Sequence, residues 1–320
     1  MKKSLITIMF ALFTLLLAAC GTQEKADGEK SSGSNGEQKE ITVKHDYGTT
    51  KVKVNPKKVV VFDFGTLDTL DKLGIEVTGV PKQNIPSYLK QYNDDKYKNV
   101  GGLKEPDFEA INEIQPDLII ISGRQADSYD QFSEIAPTIY MGVDTKKYME
   151  SFKKNVETIG QIFDKEDQAK EELAKVDNSV EDLKAKVDPS KKGLILISAG
   201  GKISAFGPGS RFGIIHDEFG VTPVDKKIDN STPHGQTASF EYVLKENPDF
   251  LFVVDRDKVV QESGKESSTK KTIENDLVKK TNAYKNGHIV YLDPDYWYLS
   301  GGGLESVSEM VNEISSAITK

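Results

Sequence analysis

Residues 108–124 read FEAINEIQPDLIIISGR, and residues 240–256 read FEYVLKENPDFLFVVDR. Both stretches start with Phe-Glu, turn at Pro-Asp, continue into an apolar run and end in arginine. The segment before the turn is predicted to be a helix, and the apolar run after it is typical of a buried strand. Because the two stretches align without a gap, the sequence predicts two related lobes.

A long amphipathic helix is predicted between the two copies, over residues 165–187. Its apolar residues recur at steps of four and three and so share one face: Ala169, Leu173, Val176, Val180, Leu183 and Val187. We expect Asp164 to cap its start, and Pro189 with Gly193 to end it. At about 1.5 Å per residue it would span about 34 Å, roughly the width of a small domain. A helix joining two lobes predicts a cleft that hardly closes.

Apolar strands alternate with short helices on both sides of this helix. In the first lobe the predicted strands are 59–62, 77–80, 118–121 and 138–143, and the predicted helices are 66–73, 108–114, 131–136 and 148–163. The second lobe repeats this order, from a strand at 194–197 to a closing helix at 304–318. The alternation is typical of parallel sheets covered on both faces. The predicted fold is α/β: two Rossmann-like lobes with mostly parallel sheets, joined by one long helix, with a ligand cleft between them.

Composition limits the class of protein. A chain of 320 residues with 37% apolar and 29% charged residues is compatible with one or two globular domains, and the repeat favours two. Its formal net charge of −8 disfavours a general role in binding nucleic acid.

The amino terminus has the pattern of an export signal. Lys2 and Lys3 precede an apolar run at 5–19, which is shorter than the roughly 20 residues of a membrane-spanning helix. The run ends in LAAC at 17–20, which resembles a bacterial lipobox. Cys20, the single cysteine of the chain, is then expected to carry a lipid, with an ordinary signal peptide and a chance cysteine as the alternative.

The predicted organisation has five parts. Residues 1–19 form a lipoprotein signal peptide, and residues 20–40, rich in Gly, Ser, Lys, Glu and Gln, form a flexible tether with a reach of about 25 Å. The remaining parts are an N-terminal lobe at 41–147, connecting helices at 148–190 and a C-terminal lobe at 191–320. A lipidated Cys20 leaves no cysteine for disulfides, so the lobes depend on their cores.

Arginine is rare and occurs only near strand ends. The chain has 39 lysines and three arginines, so the arginines are candidates for sites that need a planar fork of donors. Arg124 and Arg256 end the two repeated runs, and Arg211 follows the strand predicted at 202–206. Open α/β sheets bind ligands at the carboxyl ends of their strands. The positions predict an anion-binding cleft, and the alternative is three surface arginines.

Aromatic residues and histidines supply weaker candidates. The loop after the last strand contains Tyr296-Trp297-Tyr298, and at least one of these rings is expected to face a ligand. We take Trp297 as the candidate, although a role in the core is equally compatible with the sequence. Further candidates for the cleft are His234, in a polar loop, and three aromatic residues beside strand ends: Phe64, Tyr129 and Phe212. The four histidines are scattered, which argues against direct metal ligation by the protein.

Two glutamates occupy equivalent places in the repeat. Glu109 and Glu241 each begin the helix before a Pro-Asp strand. They could simply favour the helix dipole. Alternatively, they could contact basic sockets on a twofold-symmetric partner.

These features together resemble the substrate-binding lipoproteins of ABC importers for iron-siderophores and vitamin B12. Within that family, the Gram-positive lipoproteins that bind catecholate siderophores such as petrobactin are the most similar. The motifs that carry this similarity are VVVFDFG at 59–65, SAFGP at 204–208, RFG at 211–213, HGQ at 234–236 and WYLSGG at 297–302.

The resemblance implies roles for the residues named above. Arginines at the positions of Arg124, Arg211 and Arg256 would contact the anionic ferric chelate, in which the siderophore holds the iron. The glutamates matching Glu109 and Glu241 would dock on a permease dimer driven by a cytoplasmic ATPase. The protein would be a monomer with no intrinsic cofactor and no catalytic activity, anchored by lipid on the extracellular face of the cell membrane.

Two alternative functions stay open at this stage. A haem or cobalamin receptor would share the fold, although a haem receptor would usually offer an axial Tyr, His or Met. An exported hydrolase is the alternative from another class, and it lacks support because no Gly-x-Ser-x-Gly nucleophile motif occurs.

Replacing Cys20 by Ala should release a folded protein from the membrane, because the lipid on this thiol would be its only anchor. Membrane fractionation of cells that express the variant checks this. An unchanged membrane-bound fraction would contradict the lipid anchor.

Overall fold

The computed structural model describes residues 39–260 and 268–319. The predicted signal peptide, Cys20 and nearly all of the predicted tether lie outside the described residues. The strands are β1 (Glu40–His45), β2 (Gly48–Lys53), β3 (Val59–Val61), β4 (Gly79–Val80), β5 (Lys98–Asn99), β6 (Leu118–Ile121), β7 (Thr138–Tyr140), β8 (Lys192–Ala199), β9 (Lys202–Phe206), β10 (Thr222–Pro223), β11 (Gln236–Ala238), β12 (Phe250–Asp255) and β13 (Ile289–Leu292).

The helices are α1 (Phe64–Lys72), α2 (Phe108–Ile114), α3 (Tyr129–Ile135), α4 (Tyr148–Ile162), α5 (Glu166–Lys184), α6 (Ile214–Asp217), α7 (Phe240–Glu246), α8 (Asp257–Val260), α9 (Thr269–Ile273), α10 (Asn282–Lys285) and α11 (Leu304–Ile318). Across the described ranges, none of the helices has the length and apolar character needed to cross a membrane.

The first lobe is built on a five-stranded parallel sheet in the order β5-β4-β3-β6-β7. Strands β3 and β6 are buried along their whole length, as expected for a parallel sheet covered on both faces. One face packs on α1 and α4, and the other on α2 and α3. An antiparallel hairpin of β1 and β2, which the sequence patterns did not predict, precedes the sheet.

The second lobe has a mixed sheet in the order β11-β9-β8-β12-β13, with β10 also beside β8. Among the described strands of this sheet, β9 runs in the direction opposite to all the others. Alternate residues of β8 and β12 enter two separate cores, one on each face. The predicted α/β fold with two mostly parallel sheets is confirmed.

The repeated sequence forms the same local structure in both lobes. Helix α2 is capped by the side chain of Asp107 and helix α7 by that of Ser239. Both helices end at a residue with left-handed backbone, Gln115 with φ 50° and Asn247 with φ 45°. This conformation turns the chain into the Pro-Asp pair and the next strand.

The aspartate of each Pro-Asp pair ties its strand to the neighbouring strand. Asp117 Oδ2 accepts hydrogen bonds from the backbone N–H groups of Lys57 at 3.0 Å and Lys58 at 2.9 Å. In the second lobe, Asp249 Oδ2 accepts one from the N–H of Lys192 at 2.9 Å. Strands β6 and β12 are therefore fixed at equivalent points where they begin. Arg124 and Arg256 follow the ends of these two strands.

The linking helix α5 is shorter than the sequence predicts. Five of the six apolar residues predicted to share a face are buried in it, and Val187 lies beyond its end. The prediction that Asp164 caps the helix is wrong. Asp164 has left-handed backbone (φ 53°) in the turn after α4, and its carboxylate accepts a hydrogen bond from Asn55 Nδ2. Lys165 holds the N-cap position instead.

A second element joins the lobes. Helix α11, at the carboxyl end of the second lobe, packs against α5 and against α1 of the first lobe. A single hydrophobic cluster contains Val61 of β3, Ile197 of β8 and Ile314 of α11. This continuous core supports the prediction that the lobes move little relative to one another.

Candidate anion-binding site

The three arginines of the chain converge on one residue, Tyr298. Arg124 and Arg211 both donate from Nη2 to the Tyr298 carbonyl oxygen, and Arg124 Nη1 also donates to the carbonyl of Leu299 at 3.2 Å. Arg256 Nε donates to the Tyr298 hydroxyl at 3.0 Å. The guanidinium carbons of Arg211, Arg124 and Arg256 lie 4.3, 5.7 and 5.9 Å from the centre of the tyrosine ring. Three cations thus surround one phenol.

The cluster bridges the two lobes. Arg124 belongs to the 3₁₀ turn Gly123–Ser128 that follows β6 of the first lobe, and Arg256 follows β12 of the second. Tyr298 lies in a π-helical turn, Asp295–Leu299, after β13. Such turns are rare and are frequently found at functional sites. Strands β12 and β13 are parallel neighbours, so their carboxyl ends bring Arg256 and Tyr298 to the same edge of the sheet.

Arg211 reaches the cluster by a different route from the one predicted. Its strand β9 is antiparallel to β8, so the rule for carboxyl ends of parallel strands does not apply to it. The loop at 207–210 brings the chain to the lobe boundary instead. There, Thr145 of the first lobe donates to the carbonyl of Gly209 at 3.0 Å, and Asn230 Nδ2 donates to that of Pro208 at 2.7 Å.

Among the described residues, the positive charge of the cluster is not neutralised by an ion pair. No carboxylate in the described ranges lies within ion-pair distance of any of the three arginines. Burial lowers the pKa of Arg211 to about 10, and the charge of Arg124 contributes to this decrease. Burial also lowers the pKa of Arg124, an effect that Asp63 partly offsets. Because these groups stay charged at neutral pH, the site favours an anion.

The same charges act on Tyr298. Burial alone would raise its pKa, but the hydrogen bond from Arg256 and the charges of the three arginines outweigh burial and lower the pKa of the phenol. The site therefore stabilises negative charge on an aromatic oxygen. A catecholate oxygen has the same chemistry.

Two of the predicted aromatic candidates are core residues. Phe64 is 0% exposed and opens α1, and Trp297 is 2% exposed. The indole N–H of Trp297 donates to a carboxylate oxygen of Glu313 on α11, away from the arginines. Neither ring offers a surface to a ligand, which corrects the prediction for both.

Of the remaining candidates, Phe212 lies beside the arginine cluster. Phe212 is buried, with the guanidinium carbon of Arg211 5.3 Å from its ring centre. Tyr129 stacks on Tyr47 of the first hairpin at 4.5 Å, and no ring contact joins it to the arginines in the described ranges. His234 is exposed in the turn before β11. A ligand role for Tyr129 and His234 stays a prediction.

Tyr298 is the residue that the sequence reasoning missed. The sequence predicts a ligand-facing ring in this loop of three aromatic residues, but it favours Trp297, whereas Tyr298 is the ring that contacts the arginines. The available signal was the phenolic hydroxyl, since a tyrosine near arginines can both accept and donate a hydrogen bond.

Glu109 and Glu241 lie outside this cluster. Both are exposed, and each is the second residue of its helix, α2 or α7. Hydrogen bonds from its own backbone N–H and from Ser239 lower the pKa of Glu241, so it is ionised at neutral pH. The two carboxylates are therefore available at equivalent places on the two lobes.

A cavity of about 610 Å³ adjoins the cluster, lined from the first lobe by Ser87 and from the second by Lys258 and Leu299. Leu299, whose carbonyl accepts a hydrogen bond from Arg124, is the residue that the cavity shares with the cluster. Asp293 and Asp295 also line the cavity. In the part of the chain that the structure describes, no group of three or more His, Cys, Asp or Glu side chains is placed to hold a metal ion.

Comparison with known proteins identifies relatives over the whole chain. Residues 59–296 match the family model described as periplasmic binding protein. The chain is 55% identical to the petrobactin-binding protein YclQ of Bacillus subtilis, over 100% of each chain. It is 30% identical to the probable siderophore-binding lipoprotein YfiY of the same organism, over 100% of this chain and 99% of the other.

Solved structures agree with these sequence matches. The crystal structure of YclQ from Bacillus subtilis has a TM-score of 0.85 at 58% identity, covering 88% of this chain and 99% of that one. The periplasmic catecholate-siderophore binding protein VctP from Vibrio cholerae has a TM-score of 0.82 at 38% identity, covering 87% of this chain and 100% of the other.

An alkaline titration followed by tyrosinate absorbance should lose signal at its acidic end in a Tyr298→Phe variant, because the arginines lower the pKa of this phenol. The matched control is Tyr291→Phe, since burial and Glu274 raise the pKa of Tyr291. That variant should lose signal only at the basic end. Identical curves for the two variants would show that the arginines do not act on Tyr298.

Proposed function

The chain belongs to the periplasmic binding protein family, and we propose that it is the substrate-binding lipoprotein of an ABC importer for a ferric catecholate siderophore of the petrobactin type. Like its relatives, it is a binding protein and not an enzyme. The observation that carries the proposal is the convergence of three arginines, without an acidic partner among the described residues, on the phenol and carbonyl of Tyr298.

The charge of the site fits that of the ligand. A ferric tris-catecholate carries a charge of about −3, spread over oxygens that accept hydrogen bonds from guanidinium groups. Arg124, Arg211 and Arg256 supply three positive charges. In the structure each of them donates to an oxygen of Tyr298, Arg124 and Arg211 to the carbonyl and Arg256 to the hydroxyl, so all three side chains are turned toward this residue. A siderophore oxygen that reached Tyr298 would compete with these oxygens for the same donors.

The relatives support the same ligand class. YclQ is named as a petrobactin-binding protein and VctP as a catecholate-siderophore binding protein. Both match nearly all of the described chain. The siderophore, and not the protein, would supply the ligands of the ferric ion, which is cargo.

Membrane attachment and delivery complete the proposal. Cys20 would be lipidated and hold the protein as a monomer on the extracellular face of the cell membrane. Glu109 and Glu241 would contact a permease dimer that a cytoplasmic ATPase drives. The support is their exposure at equivalent positions on two helices with the same length and the same end structure. A twofold-symmetric partner could contact both in the same way.

Replacing any one of Arg124, Arg211 or Arg256 by Ala should weaken binding of ferric petrobactin roughly 10- to 150-fold, because each substitution removes a charge-assisted hydrogen bond. Lys at the same position keeps the charge but loses the fork, and should recover only part of the loss. Quenching of Trp297 fluorescence at constant salt measures the affinity.

The control for this series is Lys184→Ala. Lys184 is exposed in the last turn of α5 and is not among the residues that line the cavity or contact Tyr298, so its loss should change affinity by less than about threefold. Three alanine variants that all bind like the parent would contradict the arginine site. Full rescue by Lys at every position would reduce it to a general electrostatic attraction.

A double variant, Glu109→Lys with Glu241→Lys, should abolish siderophore uptake by cells while leaving the affinity of the purified protein nearly unchanged, because both carboxylates lie outside the cluster. A double variant with the same charge change on the same helices, Glu113→Lys with Glu246→Lys, is the control and should retain uptake. Uptake that survives in the first variant, or is equally lost in the control, would contradict specific docking.

A further inference from the structure

A buried carboxylate that the anion-binding site does not use lies at the lobe boundary. Asp68, on α1 of the first lobe, is 1% exposed. Its Oδ1 accepts a hydrogen bond from the N–H of Glu305, and its Oδ2 accepts one from the N–H of Ser306, both at 2.7 Å. These N–H groups belong to the first turn of α11, so a side chain of one lobe caps a helix of the other.

The approach of Asp68 depends on glycine. A Cβ atom on Gly303 would lie 2.4 Å from the carboxyl carbon of Asp68, which is too close for any larger residue. Gly303 is the residue before α11 and is separated from the Tyr298 turn by only a few residues. The chain at this point is therefore shaped to receive the carboxylate.

A chain of hydroxyl groups links Asp68 to the turn that carries Tyr298. The Tyr88 hydroxyl lies 3.0 Å from Asp68 Oδ2 and 2.6 Å from Ser300 Oγ. Ser300 Oγ in turn lies 2.6 Å from the carbonyl oxygen of Asp295. Asp295 is the first residue of the π-helical turn and Ser300 directly follows its end. These hydrogen bonds thus connect Asp68 of the first lobe with both ends of the turn.

The hydrogen atoms available to this chain of hydroxyl groups can be counted. There are three oxygen–oxygen contacts, but the hydroxyls of Tyr88 and Ser300 supply only two hydrogens. All three contacts are hydrogen bonds only when Asp68 is protonated and donates to Tyr88. When Asp68 is ionised, Tyr88 donates to it, and one of the two contacts made by Ser300 lacks a hydrogen.

The surroundings of Asp68 allow this proton to exchange near neutrality. Burial raises the pKa of Asp68 to about 7, although the N–H groups of α11 oppose the increase. Its neighbours are Tyr88, Tyr148 of α4 and Glu305 of α11, which pairs with Lys72 at 2.7 Å. Burial raises the pKa of both tyrosines, so they remain neutral, and the hydrogen bond to Glu305 raises that of Lys72, which remains charged.

We propose that Asp68 and Tyr88 are positioning residues for the anion-binding site, which act through Ser300 to hold the turn that presents Tyr298 to the arginines. The proposal rests on the proposed function, because it assigns these residues a part in binding the siderophore. The proton on Asp68 completes the chain below neutral pH. As pH rises through about 7 the chain loses one hydrogen bond, and the turn is held less firmly.

Tyr88→Phe tests this, with Tyr92→Phe as the matched control. Tyr92 lies in the same segment, Ser87–Asn93, and donates to Asp71 of the same helix α1 at 2.9 Å, without contact to Ser300. Each variant removes one hydroxyl that bonds to an aspartate of α1. Only Tyr88→Phe breaks the chain to the turn.

The first measurement needs no ligand. Trp297, the single tryptophan of the chain, lies within the turn, so its fluorescence reports on the turn directly. A transition near pH 7 is expected in the parent and in Tyr92→Phe, and at less than half the amplitude in Tyr88→Phe. Asp68→Asn should abolish it. Glu313, which contacts the indole and whose pKa burial raises, is unchanged in every variant. A transition that persists in full in Tyr88→Phe would overturn the proposal.

The second measurement is the affinity for ferric petrobactin. At about pH 6, Tyr88→Phe should bind about three- to tenfold more weakly than Tyr92→Phe, and at about pH 8.5 the ratio should fall below twofold. Comparing variants cancels any titration of the ligand itself. Equal affinities, or a ratio that does not change with pH, would contradict a role through the proton on Asp68. If the parent does not bind ferric petrobactin, the proposed function fails, and the fluorescence measurement alone decides the positioning role.

Discussion

Repulsion among three guanidinium groups is the constraint that the site has to overcome. Arg124 and Arg211 donate to the same carbonyl oxygen, and each charge disfavours the other, which contributes to the lowered pKa of Arg211. Like charges at this separation repel by an energy that depends strongly on how much water screens them. The oxygens of Tyr298 offset part of this repulsion, and an anionic ligand would offset more. The cluster therefore keeps positive charge that the oxygens of Tyr298 offset only in part.

The fold is arranged to keep these charges in place. Arg124 comes from one lobe and its two counterparts from the other, so any relative movement of the lobes would separate them. Helix α5 links the lobes through a buried face, and α11 returns from the second lobe to pack on α1 of the first. The Asp68 cap fixes the start of α11 only a few residues after Tyr298. Rigid support lets the arginines remain close, since preorganised donors lose little freedom when a ligand binds.

Local patterns in the sequence were sufficient for most of the fold. The predicted helix at 108–114 and strand at 118–121 have the bounds of α2 and β6, because a capping residue and a Pro-Asp turn delimit them. The scarcity of arginine was sufficient to find all three cationic residues. What could not be predicted depends on contacts distant in sequence. The antiparallel course of β9 depends on its pairing with β8, and Asp68 caps a residue 237 positions away. Which of the two rings, Tyr298 or Trp297, faces the arginines depends on which side of the turn packs on α11.

The position of iron in a crystal of the protein grown with ferric petrobactin tests the central claim most directly, because anomalous scattering locates the metal without reference to any model of the ligand. The account predicts one iron peak in the cavity beside Leu299, with Arg124, Arg211 and Arg256 donating to the siderophore oxygens around it. An iron peak elsewhere, for example in the separate cavity of about 420 Å³ lined by His288, Glu309 and Glu313, with all three arginines still bonded to Tyr298, would contradict it.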